Sequence, residues 1–151
     1  MTEPVASCSC RYVELKVPSV TGSLPIVRAV IERILAPFDA SPDEVTGINL
    51  AVDEALANVI KHGYGGATGQ FIRMCVGVVD EAAGPTLTIT VRDQGRQVDP
   101  GVIGGRDLDD VRPGGLGVHI MRSVMDSVEY SRPECGGMML KMSRRIRGSG
   151  P

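Results

Sequence analysis

Between Arg11 and Ser19 polar and apolar residues alternate, with Tyr12, Glu14 and Lys16 on one side and Val13, Leu15 and Val17 on the other. That two-residue period predicts a half-buried strand. The period then lengthens. Over residues 24–38, Val27, Val30, Ile31, Ile34 and Leu35 fall on one helical stripe, which Pro37 should stop. A second helix should open at Ser41-Pro42-Asp43-Glu44. There Ser41 can cap the amide of Glu44, Glu44 can reach back, and Pro42 occupies the first helical position, where no donor is missed. Its apolar stripe is Ile48, Val52, Ala55, Leu56, Val59 and Ile60. It is expected to run to about His62, with Gly63 as a left-handed terminator.

A glycine-rich stretch then leads to two strands, 71–79 and 86–92, joined by residues 80–85. The second alternates Leu87, Ile89 and Val91 against threonines and Arg92, the habit of an antiparallel sheet covered on one face. Residues 93–113 carry no periodicity and are rich in glycine, proline, aspartate and arginine. So long an irregular loop in a compact domain is usually functional. A third helix over about 116–125 has Val118, Ile120, Met121, Val124 and Met125 as its core stripe. Short strands near 127–131 and 138–145 complete the pattern. The chain reads as a flexible N-terminus (1–10), one α+β domain (11–146) and a frayed tail (147–151).

Composition narrows the function. With 151 residues the chain is one ordinary domain, able to bury a substantial core. Sixteen basic against 18 acidic residues leave a net charge of −2, which argues against a nucleic-acid-binding surface. Only 3% of residues are aromatic and none is Trp, so the stacking platform of a single-strand binder is missing as well. No apolar run is long enough to cross a bilayer, and the first residues do not resemble a signal peptide. A cytoplasmic protein with protein or small-ligand partners is the expectation. Cys8, Cys10, Cys75 and Cys135 have neither metal-ligand nor disulfide-framework spacing and read as structural or incidental.

Three polar segments could carry chemistry. Glu54 and Asn58 project from one side of the second helix, one turn apart, with Lys61 and His62 continuing that side. They can be a solvated stripe. Alternatively Asn58 can offer a neutral oxygen to a hydrated Mg²⁺ while Glu54 orients or deprotonates a nucleophile near a terminal phosphate. Asp93-Gln94-Gly95 ends an apolar strand, either as a simple turn or as a carboxylate placed to accept from an exocyclic amine. Gly114-Gly115-Leu116-Gly117 opens the third helix with bare backbone amides, a phosphate seat by geometry and dipole, though it is no Walker loop.

Together these segments resemble the GHKL ATPase/kinase superfamily, and within it the small bacterial serine/threonine kinases that act as anti-sigma factors. The resemblance rests on Glu54-Ala55-Leu56-Ala57-Asn58 with Lys61-His62-Gly63-Tyr64, on Asp93-Gln94-Gly95 with Val98-Asp99-Pro100, and on residues 114–126. It runs from about Arg11 to Arg145. It implies the Bergerat fold, a two-layer sandwich whose mixed, mostly antiparallel sheet carries helices on one face, with ATP under a lid at about 96–113. By the same resemblance Asn58 is the Mg²⁺ ligand and Glu54 the general base. Asp93 contacts adenine, Gly95 permits its close approach, and Gly114, Gly115, Leu116 and Gly117 seat the phosphates. Lys61 and His62 border the site, and Arg106 or Arg112 reaches the terminal phosphate. The implied partners are an antagonist protein with a serine phosphoacceptor, a sigma factor, and a second copy of the chain through the first strand and helix.

Two positions depart from the family's pattern. A threonine usual in the last strand falls at Met138, removing a polar link to Asp93, and a second glycine after Gly95 is Gln97. The expected activity is Mg·ATP-dependent phosphorylation of the antagonist. The rival reading is a nucleotide-responsive module that holds a partner without transferring phosphate. A two-component histidine kinase is disfavoured, because no phosphoacceptor-histidine helix pair precedes the domain.

Overall fold

A computed structural model describes residues 11–100 and 116–148. Five strands, β1 (Arg11–Pro18), β2 (Phe71–Glu81), β3 (Gly84–Arg92), β4 (Ser127–Ser131) and β5 (Met139–Arg145), form one sheet in the order β1-β2-β3-β5-β4. The helices α1 (Leu24–Leu35), α2 (Pro42–Asn58) and α3 (Leu116–Val124) cover one face. This is an α+β two-layer sandwich.

The expected mixed sheet is, among the described residues, antiparallel at every pairing. The reason is topological. β3 and β4 run the same way on either side of α3, but β5 is inserted between them, so their parallel relation never becomes a hydrogen-bonded pair.

The alternation in sequence sorts the two faces. Cross-strand rows such as Leu15, Met74, Val91 and Leu140 point to the helices and are buried or nearly so. They meet Val27, Ile31 and Leu35 of α1, Ile48, Val52 and Leu56 of α2, and Val118 and Met121 of α3 in one continuous core. Each such side chain contributes about 1.5–3 kcal/mol relative to exposure.

Several boundaries differ from the pattern-based expectation. α1 stops at Leu35, and Ala36–Phe38 tighten into a 3₁₀ turn that ends at Asp39 with φ 55°. Pro37 is tolerated there as an early-turn residue rather than serving as the stop itself. Val30, placed on the α1 stripe, is only half-buried. β2 and β3 extend toward each other until only Ala82 and Ala83 lie between them.

The start of α2 is built as its sequence implies. Ser41 Oγ accepts from the Glu44 amide at 3.1 Å, and Glu44 Oε2 accepts from the Ser41 amide at 3.0 Å. Glu44 has a further task, because its carboxylate also accepts from the amides of Arg147 (2.8 Å) and Gly148 (3.0 Å). It thereby ties the first turn of α2 to the chain leaving β5. Burial pushes its pKa up, but these amides and the Arg144 guanidinium outweigh that and leave it lowered.

The far end of α2 departs most. After Asn58 the helix widens into a π-helical turn over Val59–Gly63, closed by the Tyr64 amide donating to the Val59 carbonyl at 2.9 Å. Gly63 is therefore not the left-handed terminator. After α2, positive φ first occurs at Gly65 and Gly66. Such wide turns are costly within an α-helix and gather at functional sites.

Candidate functional site

The π-helical turn aims the Gly63 carbonyl away from the α2 axis and into the loop after β3, where it accepts from the Arg96 amide at 2.9 Å. The missing side chain of Gly95 makes this approach possible. A Cβ on Gly95 would lie 2.2 Å from Gly63 O, and a Cβ on Gly63 would lie 3.6 Å from Asp93 Oδ2. The end of α2 and the Asp93-Gln94-Gly95 turn are thus packed backbone on backbone.

Asp93 is the buried charge of this region, only 5% exposed. Its Oδ1 accepts from the Gly95 amide at 2.8 Å and from the Met138 amide at 3.4 Å. Among the described residues Oδ2 accepts no hydrogen bond, so one oxygen is held in place while the other is left for a donor. Burial pushes the carboxyl pKa up, and the Gly95 and Met138 amides only partly offset this.

The link expected to be lost at Met138 is carried by the main chain. The Asp93 amide donates to the Met138 carbonyl at 3.1 Å, and the Met138 thioether accepts from the Val98 amide at 3.4 Å. Gly137 enforces the contact with φ 70°, where a Cβ would fall 1.8 Å from the Asp93 carbonyl.

The start of α3 comes against α2 from the other side. Gly117 is buried, and a Cβ there would lie 2.6 Å from Glu54 Oε2 and 3.6 Å from Glu54 Cβ. The Glu54 carboxylate therefore rests against the first turn of α3. Asn58, the last residue of α2, is half-buried, with its side chain beside the Tyr130 hydroxyl. Burial pushes the Tyr130 pKa up to about 12, and Asn58 and Arg122 pull it the other way.

Lys61 and His62 are exposed on the π-helical turn. Leu116 opens α3. Arg106, Arg112, Gly114 and Gly115, and residues 101–113 of the expected lid, lie outside the described residues.

Glu54 and Gly117 thus meet where α2 packs on the start of α3, Asp93 and Gly95 sit against Gly63 beyond the end of α2, and Asn58 lies between them along the helix beside Tyr130. Sequence reasoning missed three contributors. Gly137 was signalled by the Gly136-Gly137 pair. Tyr64 holds the loops together, its hydroxyl donating to the Phe71 carbonyl and accepting from the Gln94 amide, both at 2.7 Å. Nothing local in the sequence marks Tyr130, which reaches Asn58 only through the tertiary fold.

The fold and the order of the three polar segments point to one class of ATPase domain. The profile of the histidine kinase-like ATPase domain matches residues 17–144, and the chain belongs to that family. Among curated proteins it is similar to the serine-protein kinase RsbW of Bacillus velezensis, 26% identical over 150 residues that cover 94% of this chain and 90% of the relative. RsbW of Bacillus subtilis is 26% identical, covering 91% and 87%, and RsbW of Halalkalibacterium halodurans is 28% identical, covering 89% and 83%. Among solved structures, the RsbU and RsbW domains of a Mycobacterium tuberculosis protein superpose with a TM-score of 0.61 at 16% identity. That match covers 90% of this chain and 32% of the other, and it reports the shared fold alone.

Proposed function

We propose that this chain is a Mg·ATP-dependent serine/threonine-protein kinase and anti-sigma factor. In this reading it phosphorylates a small antagonist protein and sequesters a sigma factor when unphosphorylated antagonist is absent. The observation that carries the reading is the pair of close approaches, Gly95 on Gly63 and Gly117 on Glu54, each of which sets a glycine segment against the α2 helix or its end. Membership of the ATPase family and similarity to the serine-protein kinases named RsbW support it.

The residues suit the ligand. Asp93 Oδ2 can accept from the adenine amine, with the packing of Gly95 on Gly63 holding the turn that carries it. Gly114, Gly115, Leu116 and Gly117 would present amides to the phosphates at the start of α3. Asn58 would give one neutral oxygen to Mg²⁺, an ion that takes few protein ligands and shares the rest with phosphate and water. When bound, the ion supplies charge neutralisation between the phosphates. Lys61, His62 and one of Arg106 and Arg112 border the phosphate end.

The chemistry asks little of the protein. The antagonist's serine oxygen bonds to the γ-phosphorus as the β–γ bridging P–O bond breaks, ADP leaves, and the Glu54 carboxylate takes the hydroxyl proton. A homodimer built through β1 and α1 in the cytoplasm completes the proposal.

One observation favours the second reading, a nucleotide-responsive module that holds a partner without transfer. The side chain beside Asp93 is the thioether of Met138, which offers adenine no hydroxyl. Incubation with γ-labelled Mg·ATP and the antagonist encoded beside the gene separates the two. Transfer of label by the wild type, lost in Glu54→Gln, supports the kinase. ATP binding without transfer supports the module.

A further inference from the structure

The face of the sheet away from the helices carries an unneutralised basic row. Lys16 pairs with Arg73 across β1 and β2, and Arg73 pairs with Arg92 across β2 and β3. Three cations in adjacent register positions repel one another, and like charges directly opposite destabilise a sheet. None of the three forms an ion pair with any described residue. Glu14, the carboxylate on the same face of β1, accepts from the Tyr12 hydroxyl at 3.0 Å and forms no ion pair with the row. Lys16 sits instead over the Phe71 ring, 4.5 Å from its centre, and Arg92 donates to the Cys135 sulfur.

The row borders a cavity of about 200 Å³ that Tyr64, Phe71 and Gln94 also line. Its floor is fixed, because the Tyr64 hydroxyl bridges the Phe71 carbonyl and the Gln94 amide. Phe71 is 46% exposed, the wrong environment for a phenyl ring with no further partner.

We propose that this row and cavity are a docking site for an acidic segment of a partner protein. The charge is complementary, and it is local, since the whole chain carries −2. The geometry favours a segment over a single small anion. Three strands spaced about 4.8 Å apart spread the cations over roughly 10 Å, wider than one phosphate spans. The side chains are those that dominate protein interfaces, arginines beside half-open aromatics. The row lies on the sheet face away from α2, shares only Tyr64 and Gln94 with the site described above, and does not depend on phosphoryl transfer.

Fluorescence anisotropy with a labelled 12-residue peptide of alternating glutamate and threonine tests this on the full chain. The wild type should bind saturably at low salt, with affinity falling as salt rises through the Debye screening range. Arg73→Glu/Arg92→Glu should weaken binding at least tenfold, and the shape-preserving Arg73→Gln/Arg92→Gln severalfold. Arg145→Glu, exposed at the far end of β5, should stay within twofold. The proposal is overturned if the row variants bind like the wild type, or if Arg145→Glu weakens binding as much. It is also overturned if inorganic phosphate saturates the row while the peptide does not, which would make it a small-anion site. Sedimentation showing a wild-type dimer that the double variant loses, without peptide binding, would assign the face to a second copy and overturn it too.

Discussion

Gly117 and Glu54 are in contact at the meeting of α3 and α2, so that a single methyl group on Gly117 would intrude to 2.6 Å from Glu54 Oε2. The atom in the way is the end of a flexible side chain, which can swing aside. Alanine also favours helix over glycine by about 1 kcal/mol. Gly117→Ala should therefore leave the melting temperature unchanged or slightly raised while displacing Glu54. Phosphoryl transfer should fall at least tenfold, read from label incorporation beside a thermal melt.

Gly95→Ala should behave in the opposite sense. Its Cβ would meet the Gly63 carbonyl at 2.2 Å, and backbone cannot rotate away. We expect a loss of about 1–3 kcal/mol, the usual cost of overpacking, together with loss of nucleotide binding. Urea unfolding of the purified variant measures it.

Asp93 should show stability set against function. Its folded pKa is raised by burial, so the native state binds more protons than the unfolded chain between the unfolded and folded values. Its ionised form is thus a burden at neutral pH, and stability contributed by this group rises as pH falls through the folded pKa. Asp93→Asn keeps an oxygen for the Gly95 and Met138 amides but turns a donor toward the adenine amine. We expect an equal or higher melting temperature at pH 7, and nucleotide affinity weakened by about 10-fold or more, the worth of one hydrogen bond to a charged group.

Glu44 has the reverse sign. Its lowered folded pKa contributes stability that is present above the unfolded value of about 4.3 and is lost as pH falls through the folded one. Glu44→Gln presents a donor to at least one of the amides of Ser41, Arg147 and Gly148, at a cost of roughly 2–3 kcal/mol at pH 7. Urea curves of both proteins from pH 7 to pH 3 should converge at the acid end.

Wherever local chemistry decides the structure, the sequence was readable. The Ser41–Glu44 capping box and the alternation of β1 and β3 depend on neighbours within a few residues. The boundary at Gly63 was not readable, because a glycine after a helix suggests a left-handed cap. Here Gly63 lies in a π-helical turn, and its carbonyl receives a loop more than thirty residues away. Met138 was only partly readable for a related reason. A side-chain pattern cannot report that the main chain supplies the polar link to Asp93. The antiparallel sheet likewise follows from the insertion of β5 between β3 and β4, a long-range event with no local signature.

The central claim is that the three polar segments form one Mg·ATP site, and calorimetric titration of Mg·ATP into the intact chain tests it most directly. One saturable site per chain is predicted, weakened at least tenfold by Asn58→Ala and by Asp93→Asn, and largely kept in Glu54→Gln. A folded wild-type chain that takes up no nucleotide at millimolar Mg·ATP, or one whose binding is indifferent to both Asn58 and Asp93, would contradict it.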